Sequence, residues 1–252
     1  MPTLLWRGIN TSAVKFKRIF MSQHQHYRHL ALIAAMALFM QSLDATILNT
    51  ALPAISASLN ESPLEMQMTI ISYSLTVALF IPLTGWIADK YGTLNVFRAA
   101  VGIFVLGSVA CAMANSLNAL IWSRILQGMG GALMMPVARL TIIRNVPKTQ
   151  LVAAWNAMAM AGLIGPVLGP IVGGWLVTHA TWHWIFLINI PIGVLGILFA
   201  GRYMPNSTGK INKLDWRGFI LFAGGLAGVT LGLDLLSEER VNPEITNAIL
   251  ST

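Results

Sequence analysis

The chain has 252 residues, 56% hydrophobic and 10% charged, with a mean hydropathy of +0.68 and a net charge of +7. A water-soluble domain carries about 25% charged residues, so the composition excludes a soluble globular protein: most of the surface has to face lipid. The basic balance raises nucleic acid as a partner, but the placement of the cations argues against it.

The apolar residues fall in seven blocks, 30–52, 65–87, 96–114, 118–138, 151–177, 184–203 and 217–236. Each is near the ~20 residues that cross a ~30 Å hydrocarbon layer at 1.5 Å per residue. Barrel strands need only ~10 alternating residues. These blocks are longer and do not alternate, so each is a helix that satisfies its own backbone. The expected fold class is an all-α membrane protein.

Residues 1–29 form a basic tail. Its first 20 residues hold no acid, and Met21 offers a second start, so 1–20 reads as an over-long beginning. His24, His26 and His29 lie in this tail, and no metal site is expected there or elsewhere. The second block opens at Ser62-Pro63-Leu64-Glu65, which combines an N-cap, Pro at the first helical position and a capping-box acid. The third block holds Cys111, the single cysteine, so no internal disulfide is possible. Pro147 precedes the fifth block. Trp182, Trp184 and Tyr203 read as interfacial aromatics. A polar cytoplasmic linker spans 204–216, Asp215 caps the seventh helix at 217–236, and 237–252 is a tail on the outside. The bundle itself is expected over 30–203.

Fourteen of the sixteen Lys and Arg residues cluster at 7–28, 90–98, 139–148 and 202–217. The alternate loops carry only Arg240. This is the positive-inside pattern, which places the N-terminus in the cytoplasm. Neither a GxxxxGK[ST] loop nor a Gly-x-Ser-x-Gly or His-Glu-x-x-His motif is present, so neither an ATP site nor a hydrolytic centre is expected, and the chain reads as no enzyme.

Charges inside a membrane are costly and need a reason. Asp44 sits ~14 residues into the first helix, about 21 Å from the cytoplasmic face. Arg124 sits ~6 residues inside the outer end of the fourth, which runs the other way, at the same depth. Two readings stand: a protonatable carboxylate whose charge depends on Arg124, and a permanent structural salt bridge. Asp89 and Lys90 end the second block in Gly85-Trp-Ile-Ala-Asp89-Lys90-Tyr-Gly92; Asp89 caps the next helix start or bridges to a cation on a neighbour. In the fifth block Gly162, Gly165, Gly169 and Gly173 make a bare stripe beside Pro166 and Pro170, with Gly174 following. Such a stripe admits a helix backbone to backbone, as a hinge or seal against a partner. Gly128, Gly130 and Gly131 read as close packing. Asn49, Met134 and Met135 are weak candidates for a greasy substrate pocket.

These residues also resemble a known family. Leu43-Asp44-Ala-Thr-Ile-Leu-Asn49-Thr-Ala-Leu-Pro53, the segment Gly85 to Gly92, and Leu120-Ile-Trp-Ser-Arg124-Ile-Leu-Gln127-Gly128-Met-Gly130-Gly131 are similar, in order, to signatures of the major facilitator superfamily. The specific likeness is to its fourteen-helix drug:proton antiporters of the EmrB/QacA type. The run Gly165 to Gly174, with Gly169, Pro170 and Gly173, resembles their antiporter motif, and Trp182 to Gly193 their sixth helix. The resemblance implies an N-terminal six-helix bundle of two inverted three-helix repeats plus a seventh helix, in a bacterial inner membrane. It implies proton coupling by Asp44 and Arg124, helix-four roles for Gln127 and Gly128, an amphipathic and often cationic substrate, and no cofactor. Protons, the lipid bilayer and a C-terminal bundle are its implied partners. That bundle lies beyond these seven helices, and the glycine stripe is expected to seat against it, so the chain alone reads as a non-transporting half. A symporter of the same superfamily and a partner-binding membrane protein are the alternatives. Thr93-Leu94-Asn95 stand where the family continues its loop signature with basic residues, and His183 where it has an arginine.

Overall fold

The computed structural model describes residues 3–210 and 214–241, with side chains over 27–210 and most of 214–229. Among the described residues the regular elements are helices: α1 (Thr3–Leu59), α2 (Pro63–Phe80), α3 (Leu83–Tyr91), α4 (Thr93–Ala112), α5 (Leu117–Asn145), α6 (Lys148–His179), α7 (Trp184–Leu187), α8 (Asn189–Tyr203) and α9 (Trp216–Val241). They divide into two units, Met1–Ile211 and Asn212–Thr252.

In the first unit five segments are long and apolar enough to cross a membrane: Tyr27–Leu59, Thr93–Ala112, Leu117–Asn145, Lys148–His179 and Trp184–Tyr203. A sixth is the pair α2 and α3, bent by 59°. This corrects the unbroken helix expected over 65–87. Pro82 sits at the break and brings no N–H, so the ladder stops at Ile81 N–H to Val77 C=O and restarts as a turn from Thr84 N–H to Ile81 C=O. The start of α2 is as expected: Glu65 N–H donates to Ser62 Oγ at 3.2 Å while Glu65 Oε2 accepts from Ser62 N–H at 3.2 Å. The basic tail continues into α1 as helix. His29 is packed, its ring stacked on Tyr203 with centroids 4.1 Å apart; the side chains of His24 and His26 lie outside the described residues.

α5 lies between α2 and α4, while α1 packs on α6 and, with α4, on α8. Two apolar clusters result. One runs from Leu30 to Met40 of α1 through Val96 to Phe104 of α4 and Leu133 to Ile142 of α5, to Ala200 of α8. The other joins Leu43 to Ile55 of α1 with Cys111, Leu120, Ile185 and Phe186. Trp182 belongs to this second cluster, 6% exposed and edge-on to Phe186. Between the clusters α1, α4, α5 and α8 each carry a polar residue at the same level: Asp44, Ser108, Arg124 with Gln127, and Asn189, all buried.

The second unit holds α9, which covers the expected seventh block. Asp215 caps it, its Oδ1 accepting from Gly218 N–H at 2.9 Å, and Trp216 meets Phe219 edge to face. Of the expected outer tail, residues 242–252 lie outside the described residues.

Candidate functional site

Arg124 and Asp44 come together from opposite directions. Arg124 Nη1 donates to Asp44 Oδ2 at 2.7 Å, and both side chains are 1% exposed. Gln127, one turn after Arg124 on α5, completes the contact from the same face: its Nε2 donates to Asp44 Oδ1 at 2.8 Å and its Oε1 accepts from Arg124 Nη1 at 2.5 Å. Asn189 Nδ2, at the first position of α8, donates to Asp44 Oδ1 at 3.0 Å. Ser108 Oγ of α4 accepts from Gln127 Nε2 at 2.8 Å and Asn189 Nδ2 at 3.3 Å. Cys111 Sγ donates to Gln127 Oε1 at 3.8 Å. Arg124 Nε donates to the Thr69 carbonyl at 3.3 Å, and its guanidinium lies 4.2 Å from the Tyr73 ring centroid.

The geometry explains why so much polarity is tolerated in an apolar bundle. An unpaired buried ion costs several kcal/mol, and a pair is held only when its remaining donors and acceptors are also met. Here the carboxylate receives three donors, and the guanidinium meets two side chains, a carbonyl and an aromatic face. Asn189 Oδ1 is buried and without a hydrogen-bond partner. The cluster can therefore hold one ionised carboxylate, and any gain of a proton at Asp44 has to break the pattern.

A second cluster lies at the basic end. Arg144 Nη2 of α5 donates to Asp89 Oδ1 at 2.5 Å, each side chain 27% exposed. Of the two roles read for Asp89, this is the bridge. The start of α4 is capped instead by Asn206, whose Oδ1 accepts from Leu94 N–H at 3.1 Å. The segment after α8 lies along the turn: Thr93 N–H donates to the Ser207 carbonyl at 3.1 Å, Thr93 Oγ1 to the Pro205 carbonyl at 3.0 Å, and Gly209 N–H to the Asp89 carbonyl at 3.2 Å. Gly92 turns at φ 87° with Asn206 packed against it, a place with room for no side chain. Thus neutral Thr93 and Leu94 are tied down by the segment after α8, which Arg144 Nη1 also meets at the Ser207 carbonyl, 3.5 Å away. Lys90 lies instead over the Trp86 ring at 4.7 Å, and Gly85 is exposed with open space around it.

Other expectations are corrected. The stripe Gly165, Gly169 and Gly173 is buried, but against α1 of its own bundle, where Ser42, Thr46, Ile47 and Thr50 sit in the space a side chain would need. Thr46 Oγ1 even donates to the Gly165 carbonyl at 3.3 Å. Pro166 and Pro170 are on the exposed side, and Gly174 has open space. Gly128 packs on Tyr73 and Thr76 of α2. Met134 and Met135 lie in the apolar core, 0% and 9% exposed. Asn49 is exposed. A groove of about 410 Å³ is present elsewhere, lined by Tyr27, Arg28, Ala31, Gln150 and Ala157 among others, and none of the ionic cluster borders it. Among the described residues no group of His, Cys, Asp and Glu is arranged to hold a metal.

A bundle of long apolar helices around a fully buried ion pair defines a multi-pass membrane protein with an ionisable centre inside the membrane. The chain belongs to the Major Facilitator Superfamily, whose sequence pattern matches residues 34–217. It is 70% identical over 224 residues to the "Probable transport protein HsrA" of Haemophilus influenzae, covering 89% of this chain and 48% of that one. It is 51% identical over 211 residues to the "Putative multidrug resistance protein MdtD" of Salmonella typhi, covering 84% and 45%. The chain thus spans about half the length of the curated relatives it matches. In fold it resembles the proton:xylose symporter XylE, with TM-score 0.67 at 13% identity over 81% of this chain and 50% of that one. It also resembles the peptide transporter POT, with TM-score 0.62 at 18% identity over 86% and 46%. The superfamily is one of transporters, not of enzymes.

Proposed function

We propose that this chain is the first bundle of a proton-driven exporter of amphipathic, often cationic compounds, lying in a bacterial inner membrane with its N-terminus in the cytoplasm. The observation that carries the proposal is the Asp44–Arg124 pair, buried at the level where two apolar clusters meet and bonded to four helices of the bundle. A carboxylate there changes the electrostatics of the whole bundle when it gains or loses a proton. Export rather than uptake is supported by the relative named for multidrug resistance and by the likeness of residues 165–174 to an antiporter motif.

In this reading a second bundle, such as the remaining half of the relatives, supplies the opposite wall of the substrate path, and transport proceeds by rocking the two around a shared midplane site. The exposed face of α6, with Leu163, Val167, Ile171 and Trp175, is where lipid or that bundle would meet this one. The test joins this chain to the second half of the Haemophilus influenzae relative and measures accumulation of a fluorescent cationic dye in cells lacking their main exporters. Dye exclusion that a protonophore abolishes, and that Asp44→Asn abolishes without loss of inserted protein, is the expected result. Normal exclusion by Asp44→Asn would make the pair structural and sink the proposal.

A further inference from the structure

We infer that Asn189 is a positioning residue for the proton on Asp44: its side-chain amide turns over when Asp44 is protonated, presenting its unpaired carbonyl as the acceptor for the new O–H. The inference rests on the reading of Asp44 as the proton-carrying group.

The argument is one of hydrogen-bond inventory. An ionised carboxylate only accepts, whereas a protonated one carries an O–H that needs an acceptor. Every bond made to Asp44 comes from a donor: Arg124 Nη1, Gln127 Nε2 and Asn189 Nδ2. A proton arriving on Oδ1 would meet two N–H groups and no acceptor, and a buried O–H left unpaired is unfavourable. The nearby acceptors are engaged. Ser108 Oγ already accepts from both amides. Gln127 Oε1 accepts from Arg124 and Cys111. The carbonyl of Asn189 is buried with no partner, and it shares its amide with the nitrogen that now sits 3.0 Å from Asp44.

A half-turn about the last side-chain torsion of Asn exchanges oxygen and nitrogen, and that torsion is broad and two-fold, so no backbone has to move. The carbonyl then takes the place of the nitrogen, where it accepts from the protonated Asp44 and from the Ser108 hydroxyl. The N–H pair gives up its bonds to Asp44 and Ser108 and moves to the side of Asn189 away from Asp44, so the bond gained by the new O–H is set against two amide donors released there. Gain of a proton on α1 thereby becomes a demand for an acceptor beside α8, which transmits the event across the bundle. The titratable and charged groups around Asp44 are Arg124 from α5, Tyr73 from α2 and Cys111 from α4. Arg124 has no acceptor, the Tyr73 hydroxyl accepts from Gln41 at 3.4 Å, Cys111 Sγ is turned to Gln127, α8 contributes the neutral Asn189, and α6 brings bare glycines to this stretch of α1.

The test is infrared difference spectroscopy of the full chain in lipid, between alkaline and acid buffer, with protons as the probe. The Asp44 acid band is the carboxylic C=O signal lost in Asp44→Asn. The expected wild-type spectrum pairs this band with a change in a side-chain amide C=O band. Asn189→Thr and Asn189→Val differ only in a hydroxyl that can donate or accept. Both should lose the amide change. The acid band should keep its frequency in the Thr variant and move to higher frequency in the Val variant, where the O–H is unpaired. If only the Thr variant folds, loss of the amide change there supports the inference and its persistence overturns it. An Asp44 band with the amide change intact in either variant overturns the inference and leaves the proton reading standing. Absence of any Asp44-dependent band overturns both.

Discussion

Replacing Arg124 with Ala strips Asp44 of its countercharge and of the donor at 2.7 Å, and it opens a cavity beside Tyr73. Breaking a buried pair from one side costs about 3–5 kcal/mol. Asp44→Asn is gentler, because the new amide still presents a carbonyl to Arg124, which keeps Gln127, Thr69 and the Tyr73 ring. Thermal unfolding of the purified chain in detergent should therefore rank wild type above Asp44→Asn above Arg124→Ala, and a reversed order of the variants would contradict the bonding described. Asp44 and Arg124 were legible in the sequence because a charge in an apolar block is rare and helix rise alone puts both at one depth. Ser108, Asn189 and Thr69 were not. A neutral polar residue is common in membrane helices, and only the packing of α4, α8 and α2 shows which way each one faces.

Among the elements, α6 shows how far a pattern can be read. Spacing marks Gly165, Gly169 and Gly173 as a place where backbones meet, but small residues carry no information about which helix arrives. The structure answers with α1. Gly169→Val should then be severe, since the added side chain meets Thr46 and the neighbouring backbone of α1 with nothing able to yield; overpacking of this kind costs about 1–3 kcal/mol or more. Gly174→Ala, with open space around it, should leave stability unchanged. Protease resistance or thermal melting of the two variants decides the point, and equal tolerance of both would refute the α1 contact. The start of α4 offers a milder case. Asn206→Ala removes the cap at Leu94, worth about 1 kcal/mol, and should speed amide exchange at Leu94 while leaving the interior of α4 protected. No reading of 204–216 as a plain linker foresaw this, because the bond joins residues 112 positions apart. The break at Pro82 was missed for the opposite reason: hydropathy runs smoothly through it.

For the molecule as a whole, the charge asymmetry predicts sidedness. A reporter active only outside the cytoplasm should be silent when fused at Thr149 or Gly209 and active at Asn60 or Ser237; activity at Gly209 would overturn the orientation. The order of helices and the class of fold were legible because lipid imposes one length and one backbone solution on every span. The reading of this bundle as one wall of a two-walled path carries its own expectation. Residues 21–252 expressed alone should give no protonophore-sensitive dye exclusion, and exclusion by the chain alone would refute that reading. The seat of the glycine stripe on α1 removes one argument for a second wall but not this one, since the outward face of α6 remains apolar and uncovered within its own unit.

The buried ionic layer also sets a timetable for synthesis. Asp44 leaves the ribosome 80 residues before Arg124 and 145 before Asn189, an interval of roughly 4–16 s for the first at about 5–20 residues per second. A lone aspartate at the centre of a span resists insertion by about 2.5–3.5 kcal/mol. Asp44 thus works against the insertion of its own helix while that helix is alone, and the arrival of Arg124 relieves the penalty. The residue proposed to drive the finished protein is thus the one its own helix carries at a cost while the chain is being made.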